Sequence, residues 1–330
     1  PMILTFANNV SSRPLAALLA LFLGVATIIL LTIMIQIEKR GHYMSVSKVK
    51  TTIVKQKIRN PILNVLAHVY AYLLFLIYVI PVALVVLFSF TDSATIASKH
   101  LTLSSFTLEN YISIFQKASS YKPFVVSIAY SAIAASFVAI IVLIACRILQ
   151  KRKDRLSGAL EYGLLIPWLL PTTLMALGLI TTYNTPRVWM FNKVLTGTSV
   201  IMLIGYIIIK IPFTLRMTKA AFFSLDDSLE DAARNMGAKP FYTFMRVQLP
   251  IILPTVLAIF ALNFNGLLGD YDMSVFMYHP LNKPLGVYIK SLTDSETNAD
   301  NAALTFVYAV LMMIISGVVM YLVYGRGNKV

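Results

Sequence analysis

Leu225-Asp-Asp-Ser-Leu-Glu-Asp-Ala-Ala-Arg-Asn-Met-Gly237-Ala-Lys-Pro240-Phe-Tyr-Thr-Phe-Met-Arg-Val247-Gln-Leu-Pro250 interrupts two long apolar runs. Its residue order predicts two helices joined at a bend. Asp227 is a good N-cap, and Glu230 follows three residues on, as in a capping box. Acids fill the first turn and Arg234 falls in the last, so both ends complement the helix dipole. Gly237 suits the left-handed position after a helix. Pro240 then opens a second helix, leading into the next apolar run, where its missing N–H is no loss. Leu229, Ala232, Ala233 and Met236 form one stripe at helical spacing, too narrow to be a domain core. Two readings stand at this level: a loop packed on its own flanking helices, or an element that another surface approaches closely over the alanines.

Outward from this loop the chain is apolar. Of 330 residues, 58% are hydrophobic and only 13% charged, with a mean hydropathy of +0.76. Soluble domains carry about twice that share of charge, on the order of 25%. This excludes a nucleic-acid-binding domain, a disordered chain and an ordinary cytosolic enzyme. Seven stretches approach the roughly 20 apolar residues needed to cross a bilayer as helix. They lie near 14–36, 62–90, 124–149, 159–183, 199–217, 251–268 and 302–324. The single cysteine, Cys146, has no intramolecular partner and reads as a small buried hydrophobe.

Charge sets the expected orientation. The segment 37–61, the turn 147–155, the loop 216–250 and the tail together hold nineteen basic residues, and the opposite side holds eight. The positive-inside bias puts the nineteen in the cytoplasm, with the N-terminus of this segment outside and its C-terminus inside. The basic stretch 37–61 reads as a linker at an anionic leaflet. On the outer side, Phe106, Leu108, Tyr111, Ile112 and Phe115 suit a short amphipathic helix over 107–115. Pro1 in place of Met, and an apolar run set apart from the other six, lead us to expect the later part of a longer polypeptide.

Ionisable residues near the spans are functional candidates by default. Lys210 is read two ways, as a snorkelling cation about two turns from the cytoplasmic end of its span or as a pore-lining group. Glu161 reads as one partner of a surface ion pair. Asn263, Asn265, Asp270 and Asp272 ring the outer end of the span near 251–268. There they stand either as a solvated helix end or as acids that meet a cation or seat a partner. Pro167 and Pro171 break the helical ladder of the span near 159–183. Gly266 and Gly269 are hinges or packing points. His42, His68, His100 and His279 are scattered without ligand spacing, so no metal site is expected. No phosphate-binding loop and no catalytic dyad occurs in the sequence, so the chain is not read as an enzyme.

The loop carries a resemblance. Asp231-Ala232-Ala233, three residues, Gly237, nine residues, then Val247-Gln248-Leu249-Pro250 is similar to the EAA loop of binding-protein-dependent ABC importers, with Asp231 for Glu and Val247 for Ile. Phe106-Thr-Leu-Glu-Asn-Tyr111, Leu165-Ile-Pro167 with Pro171, and Pro212-Phe-Thr-Leu-Arg216 resemble further segments of these permeases. The likeness is greatest to the ferric-iron and 2-aminoethylphosphonate type, many of which fuse two units. It implies an all-α polytopic membrane protein of the bacterial cytoplasmic (inner) membrane. Residues 1–60 would be the last helix of a preceding unit plus a linker, and 61–330 a six-helix type I unit.

The resemblance implies an importer driven by a dimeric ABC ATPase subunit, which binds ATP and Mg. No cofactor is bound by this chain. It also implies an extracytoplasmic solute-binding protein, a second permease unit (fused or homodimeric) and no nucleic-acid partner. Docking roles on the ATPase subunit fall to Glu230, Asp231, Ala232, Ala233 and Gly237. For Glu230 and Asp231 the alternatives are pairing across that interface and capping the helix. Asp270, Asp272 and Lys210 are the candidates for the solute path. Ferric iron leads as solute, before 2-aminoethylphosphonate, sugar phosphate and polyamine. An ion-coupled secondary transporter is the reading of a different class, and a membrane-embedded enzyme a third.

Overall fold

The computed structural model describes 58–293 and 301–325, apart from 99, 153, 187 and 227, together with scattered positions between 18 and 33. The span expected near 14–36 and the basic stretch 37–61 fall largely outside the described residues. The described elements run α1 (Pro61–Ser89), α2 (Ser93–Ser98), α3 (Glu109–Gln116), α4 (Ala118–Lys151), α5 (Arg155–Leu165) and α6 (Thr172–Tyr183). There follow α7 (Ser199–Phe223), α8 (Ser228–Asn235), α9 (Pro240–Thr243), α10 (Leu249–Leu268), α11 (Ser274–Met277), α12 (Leu285–Thr293) and α13 (Asn301–Tyr324). Among the described residues there is no strand, and two isolated bridges are the only β pairing. The protein is an all-α polytopic membrane protein, as the sequence predicts.

Among the described residues five helices are long and apolar enough to cross a membrane: α1, α4, α7, the continuous run Pro240–Leu268, and α13. The span near 159–183 is not one straight helix. Arg155–Leu169 and Thr172–Tyr183 meet at 108°. Pro171 sits at φ −56°, ψ 139°, outside the helical region, and Leu170 before it is extended, as a residue preceding proline prefers. Two further boundaries move. α7 continues to Phe223, past the expected end at 217, and the last loop helix joins α10 through a π turn at Phe244–Gln248.

The centre of the bundle is α4 against α7 and α10. Buried residues recur on α4 every three or four positions: Ser127, Ser131, Ala134, Ala135, Val138, Val142 and Ala145. Such small side chains allow close helix approach in a bilayer, where packing rather than water exclusion holds helices together. Val138, Val142 and Cys146 close on Leu215, Phe222, Ile252 and Val256. Towards the other end Ala134 meets Met175, Met202, Tyr206 and Leu267.

α1 differs. Asn60 caps it through Oδ1 and Pro61 opens it, yet of its 29 residues Ser89 alone is buried. Its apolar surface rests against α13 and otherwise faces outward, which suits lipid. The helix expected over 107–115 forms as α3. Ile114 turns inward, while Leu108, Ile112 and Phe115 stay exposed. Asn110 Nδ2 donates to the carbonyls of Ser89 and Thr91, fixing α3 to the end of α1.

Candidate functional site

The loop 224–248 is built as its residue order predicts. Asp226 Oδ1 accepts from the Ser228 amide at 3.0 Å as α8 begins; Asp227, the expected cap, lies outside the described residues. α8 ends at a left-handed Gly237, φ 80°. The Ala238 amide donates to the Ala233 carbonyl and the Gly237 amide to the Arg234 carbonyl, the two bonds of a Schellman motif. Lys239 precedes α9 in extended conformation and Pro240 takes the first helical position.

Glu230 has a use the sequence reading did not anticipate. Its carboxylate accepts from Arg147 at 3.3 Å and from Gln248 Nε2 at 3.1 Å, and it forms an ion pair with Lys151. Burial pushes this carboxyl up, but hydrogen bonds from Lys151 and Arg147 and their positive charges outweigh it, holding it below the usual carboxylate range. Arg147 also donates to Gln248 Oε1 at 2.8 Å and lies 5.6 Å from the centroid of the Phe244 ring. Charge counting treated Arg147 only as a marker of topology. Nothing local in the sequence connects it to Glu230, 83 positions away.

The stripe on α8 faces elsewhere. Ala233 is buried at 4% exposure, whereas Ala232 and Asp231 are exposed and Met236 is 81% exposed. At roughly 100° per residue, the inward side set by Glu230 and Ala233 lies about a quarter turn from the centre of the stripe. Phe241, Tyr242 and Met245 continue this exposed apolar surface beyond the bend. Such a patch on a loop whose own contacts are complete suits a protein partner. Of the five residues expected to act together here, Asp231, Ala232 and Gly237 are accessible, and Glu230 and Ala233 face the chain.

The second group lies between α7 and α10. Lys210 lies 13 residues before the end of α7, with Arg216 and Lys219 between it and that end. Its ammonium lies beside Gly266, where an added Cβ would meet Nζ at 2.8 Å. Among the described residues it makes no ion pair. Asp270 Oδ2 accepts from the Ser274 amide at 3.1 Å and hydroxyl at 2.8 Å, and that hydroxyl meets Tyr206 at 2.5 Å.

Asn263 corrects the reading of this region as a solvated helix end. It is buried and donates to Thr214 Oγ1 at 2.7 Å. Asn265 Oδ1 and, on α4, Ser131 Oγ are buried without a hydrogen-bond partner among the described residues. Asp272 alone of the four is exposed. Gly269 and Gly266 are points of close packing: a Cβ at Gly269 would meet Met312 Sδ at 2.8 Å. Glu161 pairs with Lys219, as its position predicted. Tyr206, Thr214 and Ser274 were missed; the i, i+4, i+8 spacing of Tyr206, Lys210 and Thr214 is the signal that marks them as one face.

Comparison with known proteins bears on the family and the fold. A family model described as "Binding-protein-dependent transport system inner membrane component" matches residues 138–326. A probable ABC transporter permease protein, y4fN, of Sinorhizobium fredii is 37% identical over 317 residues, covering 96% of this chain and 55% of that protein. The chain thus spans about half the length of this relative. A putative 2-aminoethylphosphonate transport system permease protein, PhnV, of Salmonella paratyphi A is 24% identical over 212 residues, or 64% of this chain and 78% of that one. Among solved structures, a bacterial ABC transporter involved in alginate import aligns with a TM-score of 0.64 at 16% identity. That alignment covers 81% of this chain and 96% of the other, a likeness of fold.

Proposed function

The chain belongs to the family of binding-protein-dependent transport system inner membrane components, and from that premise we propose that it is a permease subunit of an ATP-driven importer. Hydrolysis is supplied by a separate ATPase subunit. The observation that carries this reading is α8: a helix set by a Schellman bend, with Asp231, Ala232 and Met236 directed away from the chain. We place the docking of the ATPase subunit there, with Gly237 holding the bend, Asp231 and Ala232 at the surface, and Ala233 and Glu230 behind it. The loop faces the cytoplasm in this reading, and an extracytoplasmic binding protein delivers solute at the opposite end. A second permease unit, fused upstream of residue 61 or supplied by a second copy, completes the pore.

For the solute, a small phosphonate moves ahead of ferric iron. Lys210 places an ammonium between α7 and α10, beside Gly266, and Asp270 stands four residues on from that glycine, just past the end of α10. 2-Aminoethylphosphonate carries an anionic group for the first and an ammonium for the second, and a relative bears its name. Ferric iron is the second reading, favoured by Asp270 and the exposed Asp272. Uptake of labelled 2-aminoethylphosphonate and of labelled ferric iron, in cells lacking the parent gene and with it restored, tests both. Restoration of phosphonate uptake alone is expected. Restoration of iron uptake alone would overturn this order, and loss of neither on deletion would reject both solutes.

A further inference from the structure

Resting on the reading of α8 as the element gripped by the ATPase subunit, we infer that Arg147 is a positioning residue that locks α8 to the ends of α4 and α10, so that the three move as one body. One guanidinium reaches all three. It donates to Glu230 on α8, to Gln248 at the start of α10 and to Gln150 on its own helix at 3.0 Å. Lys151, next on α4, adds a second cation to Glu230. A planar fork with five donors serves such a set of acceptors in fixed geometry, which a lysine cannot.

Two soft points otherwise separate α8 from α10. One is the left-handed bend at Gly237. The other is the π turn Phe244–Gln248, a local fault in the helical ladder of a kind that clusters at functional sites. A push on α8 passing along the chain would be absorbed as bending at both. Arg147 bridges them: it holds Glu230 before the bend, lies over Phe244 at the start of the π turn, and bonds Gln248 at its end. Displacement of α8 therefore reaches α4 directly, and α10 without flexing the fault between them.

The test uses the full chain purified with its ATPase subunit, in a Cys146→Ser background carrying Asn235→Cys and Arg152→Cys for spin labels. The parent should give one narrow inter-label distance, unchanged by trapping with ATP and vanadate. Arg147→Ala and Arg147→Lys should each broaden that distribution about twofold and let nucleotide shift it, because a rigid contact has become a hinge. ATPase-subunit retention should stay at the parent's level. Exchanging the charges, Arg147→Glu with Glu230→Arg, should narrow the distribution again. A parent distance that moves with nucleotide, an unchanged width in Arg147→Ala, or a charge exchange that stays broad would overturn the lock. Loss of retention in Arg147→Ala would instead place Arg147 in the docking surface and overturn its positioning role. The width comparison also holds for the chain alone, so a parent that retains no ATPase subunit would overturn the functional reading separately.

Discussion

Two polar clusters in this molecule are built on opposite terms. At the loop end, Glu230 meets Arg147, Lys151 and Gln248, and every charge has a counter-charge or hydrogen bond close by. Between α7 and α10, among the described residues, Lys210 makes no ion pair and Asn265 Oδ1 is buried without a hydrogen-bond partner. The first cluster sits where water is near and ionic groups are cheap to keep. The second sits within helices apolar enough to cross a membrane, where an unpaired charge is costlier to keep. A paired cluster at a helix junction is a fastening. An unpaired one in the span is retained at a loss of stability, and a solute passing through is what would repay it.

The largest expected effect comes from removing the costly charge. Lys210→Met should lower solute uptake at least tenfold, a change on the order of 1.4 kcal/mol or more, while membrane abundance of the chain holds or rises. Uptake assays beside quantitative blots check both. Equal uptake would reduce the cluster between α7 and α10 to a structural seam and dissolve the contrast.

A smaller effect is expected at the bend. Gly237 lies at φ 80° with open space around its absent Cβ, so a β-branched side chain is opposed by backbone conformation alone. Gly237→Val should cost on the order of 1–3 kcal/mol locally and lower ATPase-subunit retention on purification several-fold. Unchanged retention together with unchanged transport would remove Gly237 from the docking element.

The smallest effect is a pH dependence at the fastening. The Glu230 carboxyl lies below its ordinary value, so its stabilising contribution is present above the unfolded carboxylate range, about 4.3, and disappears as pH falls through the lower folded value. Between pH 6 and 8 the contribution should be flat. The purified Glu230→Gln chain should therefore be less stable than the parent at neutral pH by about 1 kcal/mol, the difference between a charge-assisted and a neutral hydrogen bond. The two thermal unfolding curves should converge on acidification. Parallel curves down to acid pH would mean that the fastening owes little to this charge.

Much of the architecture was legible from local signals. Runs of apolar residues located the membrane helices, because the bilayer demands a minimum length of helix. Pro167 and Pro171 marked the broken helix, since neither the ring nor the residue before it fits an uninterrupted ladder. The size of the bend, 108°, was not legible, because it depends on what α5 and α6 pack against. At the loop, Asp231-Ala232-Ala233 and Gly237 announced a helix and its stop. Asn263 looked solvated because its partner, Thr214, is on another helix.

What the sequence determined by itself, then, is everything that depends on neighbours within about two helical turns: where helices start, stop and bend, which segments suit a bilayer, and the spacing that marks the loop. Only the tertiary structure decided which side of α8 faces the chain, that Glu230 meets Arg147, and that Lys210 looks onto Gly266. The physical reason is the range of the forces concerned. Helix propensity, capping and turn geometry act between residues close in sequence. The rotation and register with which packed helices meet are set jointly by all the side chains between them.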